Sequence, residues 1–147
     1  MAETLGMLCD KLTIVKLKQY HSEDAVRLSS LEIQCKQLQT EIDEYFLDAL
    51  TGKIPVVRMT FDSNKVFKKE GNEVAAFSGS LGEVFYRLAD VNCRLWHEQE
   101  KVYDFENVPV EEKNAVVKKL SLLNLERNQC IDKINVQFSE SIQSLSK

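Results

Sequence analysis

Apolar side chains recur every three or four residues along four stretches of this chain, with polar residues between them, which is the period of an amphipathic helix. The first stretch predicts a helix over about Glu3–His21. Leu8, Leu12, Val15 and Gln19 lie on one stripe, widened by Met7, Ile14 and Leu17. Thr4 or Glu3 can serve the open amides at its start. Ser22-Glu23-Asp24 reads as a turn and a fresh N-cap. The second helix then runs to about Leu50 with the cleanest pattern of all: Leu28, Leu31, Cys35, Leu38, Ile42, Tyr45 and Ala49. Gly52 is placed to stop it. A third helix is expected over about Ser80–Tyr103, with Val84, Leu88, Val91, Leu95, Trp96 and Val102 on its apolar side and Asn92 close by. The fourth begins near Pro109, has Glu111 and Glu112 in its first turn, and runs to near Ser144. Its stripe reads Val116, Leu120, Leu123, Arg127, Ile131, Ile134 and Phe138.

The pattern repeats. A shift of 76 positions puts Gly6 on Gly82, Lys11 on Arg87, Leu12 on Leu88, Val15 on Val91, Lys18 on Arg94, Tyr20 on Trp96 and His21 on His97. A shift of 89 puts Leu31, Cys35, Leu38, Ile42 and Asp43 on Leu120, Asn124, Arg127, Ile131 and Asp132. Both helices of a hairpin therefore read as duplicated. A glycine costs stability inside a helix. Its recurrence as Gly6 and Gly82 points either to close backbone approach or simply to two first-turn positions.

Between the hairpins the helical period lapses. Residues 54–61 (Ile54-Pro55-Val56-Val57-Arg58-Met59-Thr60-Phe61) are rich in β-branched side chains and read as extended. Asp62-Ser63-Asn64 reads as a turn, and a short helix within 65–77 would be interrupted near Gly71-Asn72. Lys53, Arg58, Lys65, Lys68 and Lys69 make this the most basic stretch of an acidic chain, suited to a solvated connector or to an acidic or phosphate-bearing partner.

Composition narrows the possibilities. With 147 residues the chain can build a real core, and two prolines favour long helices over a turn-rich sandwich. A net charge of -4 argues against a general nucleic-acid binder. No apolar run approaches a membrane span and no signal peptide is evident, so the cytoplasm is the expected compartment. Cys9, Cys35, Cys93 and Cys130 form no CxxC pair; buried thiols in predicted helices are favoured over a disulfide framework, and no zinc spacing appears.

The second copy of the hairpin is polar where the first is apolar. Arg127 interrupts the stripe of the fourth helix, and Asn124, Asn128, Asn135 and Asp132 crowd its flank. A buried guanidinium must be paired, and Glu83, Glu98, Glu100 and Asp132 are the candidate partners. One reading is an internal salt bridge that fixes helix register. The other is a pocket lined by Asn92, His97, Glu98, Arg127, Asn128 and Asp132, with the arginine fork reading phosphate or carboxylate. His97 near Glu98 and Glu100 suggests acid-base chemistry, but adjacent helical residues point apart, and both histidines end the repeated phrase, where a helix-end role suits them. Glu-x-x-His pairs, nucleophile motifs and a phosphate-cradling glycine loop are all missing from the sequence.

The phrases Asp10-Lys11-Leu12-Thr13-Ile14 and Leu17-Lys18, with Asn92, Leu95-Trp96, Glu98, Asn124, Arg127-Asn128 and Asp132, resemble a family of small helical bacterial proteins of unknown function. Genes of that family often lie beside glycosyltransferase and surface-polysaccharide genes. The resemblance covers both hairpins but not the middle segment. The acidic pair usual after the tryptophan is altered, since His97 precedes Glu98 and Gln99 follows it.

The sequence thus predicts one all-α domain, a four-helix bundle of two duplicated antiparallel hairpins (3–51 and 80–144) joined by an irregular bridge (52–79). The expected role is a non-catalytic cytoplasmic accessory or protein-interaction protein, self-associating or bound to another protein, with no cofactor and no metal. The alternative is an enzyme or binder of a phosphorylated or nucleotide-sugar ligand at the second hairpin.

Overall fold

The computed structural model describes residues 2–62 and 79–145. The chain is all-α, and its four long helices form two antiparallel pairs joined by a bridge, as the four-helix bundle read from the sequence requires. The helices are α1 (Leu5–Tyr20), α2 (Ala25–Leu50), α3 (Leu81–Tyr103) and α4 (Val110–Leu145). Three N-caps account for the helix starts. Thr4 accepts from the Met7 amide, Asp24 from Arg27 and Ser80 from Glu83. Each side-chain oxygen satisfies an amide that the helix itself leaves open. Gly52 follows α2 at φ +80, a left-handed conformation that glycine adopts without a Cβ penalty.

The residues fall into two units. In the first, α1 and α2 pack against each other and receive residues 131–145 of α4. Leu8, Val15, Leu31 and Leu38 are its buried centre, with Leu12, Cys35, Ile42 and Tyr45 around them. The last part of α4 adds Ile134, Phe138 and Ile142, and the Phe138 ring lies 6.1 Å from Tyr45 and 5.6 Å from Phe46. The second unit pairs α3 with residues 110–130 of α4 around Val91, Leu95, Leu123 and Leu120.

The repeat holds at the helix starts and fades along their length. Thr4 and Ser80 cap equivalent turns, Leu8 and Val84 are both buried, and so are Val15 and Val91. The two glycines differ. A Cβ at Gly6 would sit 2.5 Å from the Ile131 carbonyl oxygen and 2.8 Å from Asn135 Oδ1, whereas at Gly82 the nearest atom, Ser80 Oγ, is 4.0 Å away. Gly6 thus marks a close approach of α1 to α4, and Gly82 is a first-turn residue. His21 caps the end of α1, but His97 lies inside α3, which continues to Tyr103.

The extended reading of 54–61 is corrected. Val56–Arg58 form a 3-10 turn opened by Pro55, whose amides hand over from Arg58 and Met59 to Pro55 and Val56 carbonyls. No described strand is present to pair with an extended segment, so the β-branched residues fold back instead and Met59 is buried. The turn at Ser63-Asn64, the short helix expected within 65–77, and Lys65, Lys68 and Lys69 lie outside the described residues.

Candidate functional site

The buried positions of α3 are Val84, Leu88, Val91, Asn92, Leu95 and Glu98, and all but Asn92 follow one another at steps of four and three. The last step puts a carboxylate where the pattern asks for an apolar side chain. Glu98 is only 2% exposed. Its Oε1 receives Lys101 Nζ at 3.1 Å from the next turn of α3 and Lys119 Nζ at 3.0 Å from α4. Its Oε2 is buried and accepts no hydrogen bond among the described residues. Burial pushes the Glu98 carboxyl up, but the hydrogen bonds and charges of Lys119 and Lys101 outweigh it and hold the group below its ordinary value.

A second buried carboxylate sits farther along the same seam. Glu126 of α4, 8% exposed, accepts from Arg87 Nε at 2.9 Å and from Arg94 Nη2 at 3.4 Å. Arg94 also holds Asp90 one turn earlier on α3, at 2.9 Å. Arg87 and Arg94 lie seven residues apart, on one face of the helix. They correspond to Lys11 and Lys18 in the repeat. The position matching Glu126 in the first copy is Gln37, and there Lys11 pairs with Glu3 instead. The polar change in the second hairpin is therefore a set of cross-helix ion pairs. Each carboxylate is gripped by two cations, which is the condition for burying charge without a large penalty.

The six residues read as a pocket are spread over these surroundings. Asn92 is fully buried in α3, Glu98 is buried and paired as above, and His97 is exposed. Arg127 and Asn128 are half-buried on α4. Asp132, also half-buried, belongs to the other unit. The buried ionisable residue of α4 in this unit is Glu126 rather than Arg127. The buried positions of this part of α4 are Val116, Leu123, Glu126 and Cys130; Arg127, about 100° round the helix from Glu126, is half-buried beside them. The spacing of Arg87 and Arg94 on α3 was the signal that could have found Glu126.

Among the described residues no group of three or more His, Cys, Asp or Glu is arranged to hold a metal ion. All four cysteines are free thiols. Cys130 is buried and Cys9 and Cys35 are half-buried, but Cys93 is exposed, because it lies between the buried positions Val91 and Leu95 and points away from them. Burial, and secondarily the charge of Asp10, pushes the Cys9 thiol up to about 12. No described helix is long and apolar enough to cross a membrane.

Two surface features lie on the first unit. A groove of about 480 Å³ opens between α1 and α2, lined by Lys16, Tyr20, Leu28 and Lys36 among others. On α2, Val26, Ile33 and Leu47 are 82%, 67% and 59% exposed, although the opposite side of the same helix carries the core. Comparison with known proteins adds nothing to this geometry: no family model, curated protein or solved structure matches the chain.

Proposed function

We propose that this chain is a non-catalytic, cytoplasmic interaction protein, a helical accessory that works by presenting the outer face of α2 to a protein partner. The observation that carries this reading is the exposure of Val26, Ile33 and Leu47 on a helix that already buries its other side. Isolated exposed apolar residues are ordinary, but a line of them along one helix is the form in which helices recognise one another. The ionisable groups of the second hairpin fit the same role. Glu98 and Glu126 are each engaged by two cations of the same hairpin, an arrangement that joins α3 to α4.

Cross-linking in the native cells, followed by mapping of the linked peptides, tests the proposal. Links should fall on 25–50 and be lost in an Ile33→Glu, Leu47→Glu variant that keeps its helical circular dichroism. Links unchanged by those substitutions would sink it. A second reading, a phosphorylated or nucleotide-sugar ligand at the second hairpin, draws on the cations gathered there: Arg87, Arg94, Lys101 and Lys119. It agrees with the surface-polysaccharide setting of the family that the sequence resembles. A thermal-shift titration with nucleotide sugars decides it, since concentration-dependent stabilisation lost in Lys119→Ala would favour the ligand.

A further inference from the structure

The outer apolar line of α2 has a regular spacing. Val26, Ile33, Thr40 and Leu47 are each seven residues apart, and on a helical projection they fall within about 60° of one another. The direction they share is opposite to that of Leu31, Leu38 and Ala49, which are buried. A seven-residue repeat keeps one line of side chains facing a partner helix; here a single position of the heptad repeats, with Lys36 and Asp43 beside it. α2 thus has two seams, one closed by its own unit and one open.

The charges along α2 choose the occupant. Its first half carries Arg27 and Lys36 against Glu32, while its second half carries Glu41, Asp43, Glu44 and Asp48 with no basic residue before its end. Two parallel copies would bring acidic halves together. Two antiparallel copies instead bring each acidic half against a segment that carries Lys36 and only one acid, Glu32. Placing the twofold axis at Thr40 sets Ile33 of one copy against Leu47 of the other. Lys36 and Asp43 lie on the same flank of the seam, so that pairing also brings Lys36 of one copy beside Asp43 of the other. Among the described residues Lys36 is held by Glu32 alone, at 3.2 Å and in solvent, a contact of little energy that can be exchanged. We infer that the outer face of α2 is a self-association surface, on which a second copy of this chain docks antiparallel through Ile33, Thr40 and Leu47.

The inference rests on the reading of α2 as an interaction face and names its partner. α2 ends at Leu50, so with the axis at Thr40 the two copies overlap over 30–50 and the seam is about 30 Å long. At a width of about 10 Å it covers roughly 300 Å² of each copy, less than half the per-partner area of a standard interface. The dimer is therefore weak and concentration-dependent.

Sedimentation equilibrium on the full chain tests it. The mass should rise from 16.9 kDa towards twice that value with concentration. Ile33→Glu or Leu47→Glu should weaken association about tenfold or more, since a carboxylate in the seam faces an apolar partner. Lys36→Glu should weaken it too, and adding Asp43→Lys should restore it, which a parallel pair would not do. A monomer at every concentration, a dimer indifferent to Ile33→Glu and Leu47→Glu, or no rescue by the charge exchange would each overturn the inference. Binding of the monomer to phosphatidylcholine vesicles, lost in Ile33→Glu, would replace it with a lipid surface. Cross-links that map to α2 but join it to a different chain would overturn the self-pairing and leave the interaction role standing.

Discussion

Gly6 and Gly82 occupy equivalent places in the repeat, yet alanine should act on them with opposite sign. At Gly6 the added methyl would meet the Ile131 carbonyl oxygen at 2.5 Å and Asn135 Oδ1 at 2.8 Å. The first is backbone of another helix and cannot turn aside, so α1 and α4 must separate locally. Overpacking of this kind costs about 1–3 kcal/mol. The Gly6 amide also donates to Asn135 Oδ1 at 2.8 Å in a buried hydrogen bond, and opening the contact exposes part of its value, about 1 kcal/mol. Alanine returns at most about 1 kcal/mol of helix propensity. The net expectation for Gly6→Ala is a loss of about 1–3 kcal/mol, by combining these ranges.

At Gly82 nothing lies closer than 4.0 Å, so only the propensity remains, a gain of up to about 1 kcal/mol. Urea unfolding followed by circular dichroism at 222 nm reads both. With a slope of about 2 kcal/mol per molar, Gly6→Ala lowers the midpoint by about 0.5–1.5 M and Gly82→Ala leaves it unchanged or slightly higher. Trp96 fluorescence follows the unit that holds Gly82 separately, because it is the only tryptophan. Asn135→Ala combined with Gly6→Ala should cost less than the sum of the two, since one of the two clashing atoms is gone. Equal shifts for the two glycines, or no loss at Gly6, would refute the close-approach argument.

Three further outcomes follow from the same geometry. Glu98→Gln should destabilise the chain by about 1–3 kcal/mol near neutral pH, less than for a fully buried pair because Lys101 and Lys119 are half in solvent. The Glu98 carboxyl is held below its ordinary value in the fold, so its stabilisation is complete above the unfolded value of about 4.3 and is lost as pH falls through the folded one. Wild type and variant should therefore converge in stability as pH falls below the ordinary carboxylate range, and a gap that does not narrow with acid would refute the ion-pair account. Thr4→Ala and Ser80→Ala should each cost about 1 kcal/mol in urea unfolding, as removal of a single N-cap does. In thiol labelling at pH 8, Cys93 should react first and Cys130 only on unfolding. Cys9, with about one thiolate in ten thousand at that pH, should lag as well, and fast labelling of it would contradict its burial.

The helices were legible because each carries its stripe over four or more turns, and the ends were legible because Thr4, Asp24, Ser80 and Gly52 are residues with cap or stop chemistry. The bridge was not. Ile54–Phe61 has the side chains of a strand, but a strand exists only with a neighbour, and periodicity cannot supply one. The polar interior was half legible. An ionisable residue in the buried stripe of α4 was expected, and the residue found there is the neighbour of the one named. A 36-residue helix that meets α3 along its first part and α1 and α2 along its last carries more than one stripe. A single line drawn through its sequence mixes them, which is how Arg127 took the place of Glu126.

The repeat shows what was held and what was free to change. The apolar seam survives as Leu8 and Val84, then Val15 and Val91, with a cap before each. The positions beside the seam diverged. Lys11 and Lys18 stand where the second copy has Arg87 and Arg94, and Gln37 where it has Glu126. These changes belong together. A glutamate buried at 126 without cations would be an uncompensated charge, and arginines at 87 and 94 facing a glutamine would hold no countercharge on α4. The first hairpin faces a different demand. It keeps Leu8, Val15, Leu31 and Leu38 along its seam, brings Gly6 against Ile131 and Asn135 of α4, and leaves Val26, Ile33 and Leu47 of α2 exposed. One copy joins its two helices to each other by charge. The other joins them by apolar packing and leaves a second line of apolar residues of α2 in solvent.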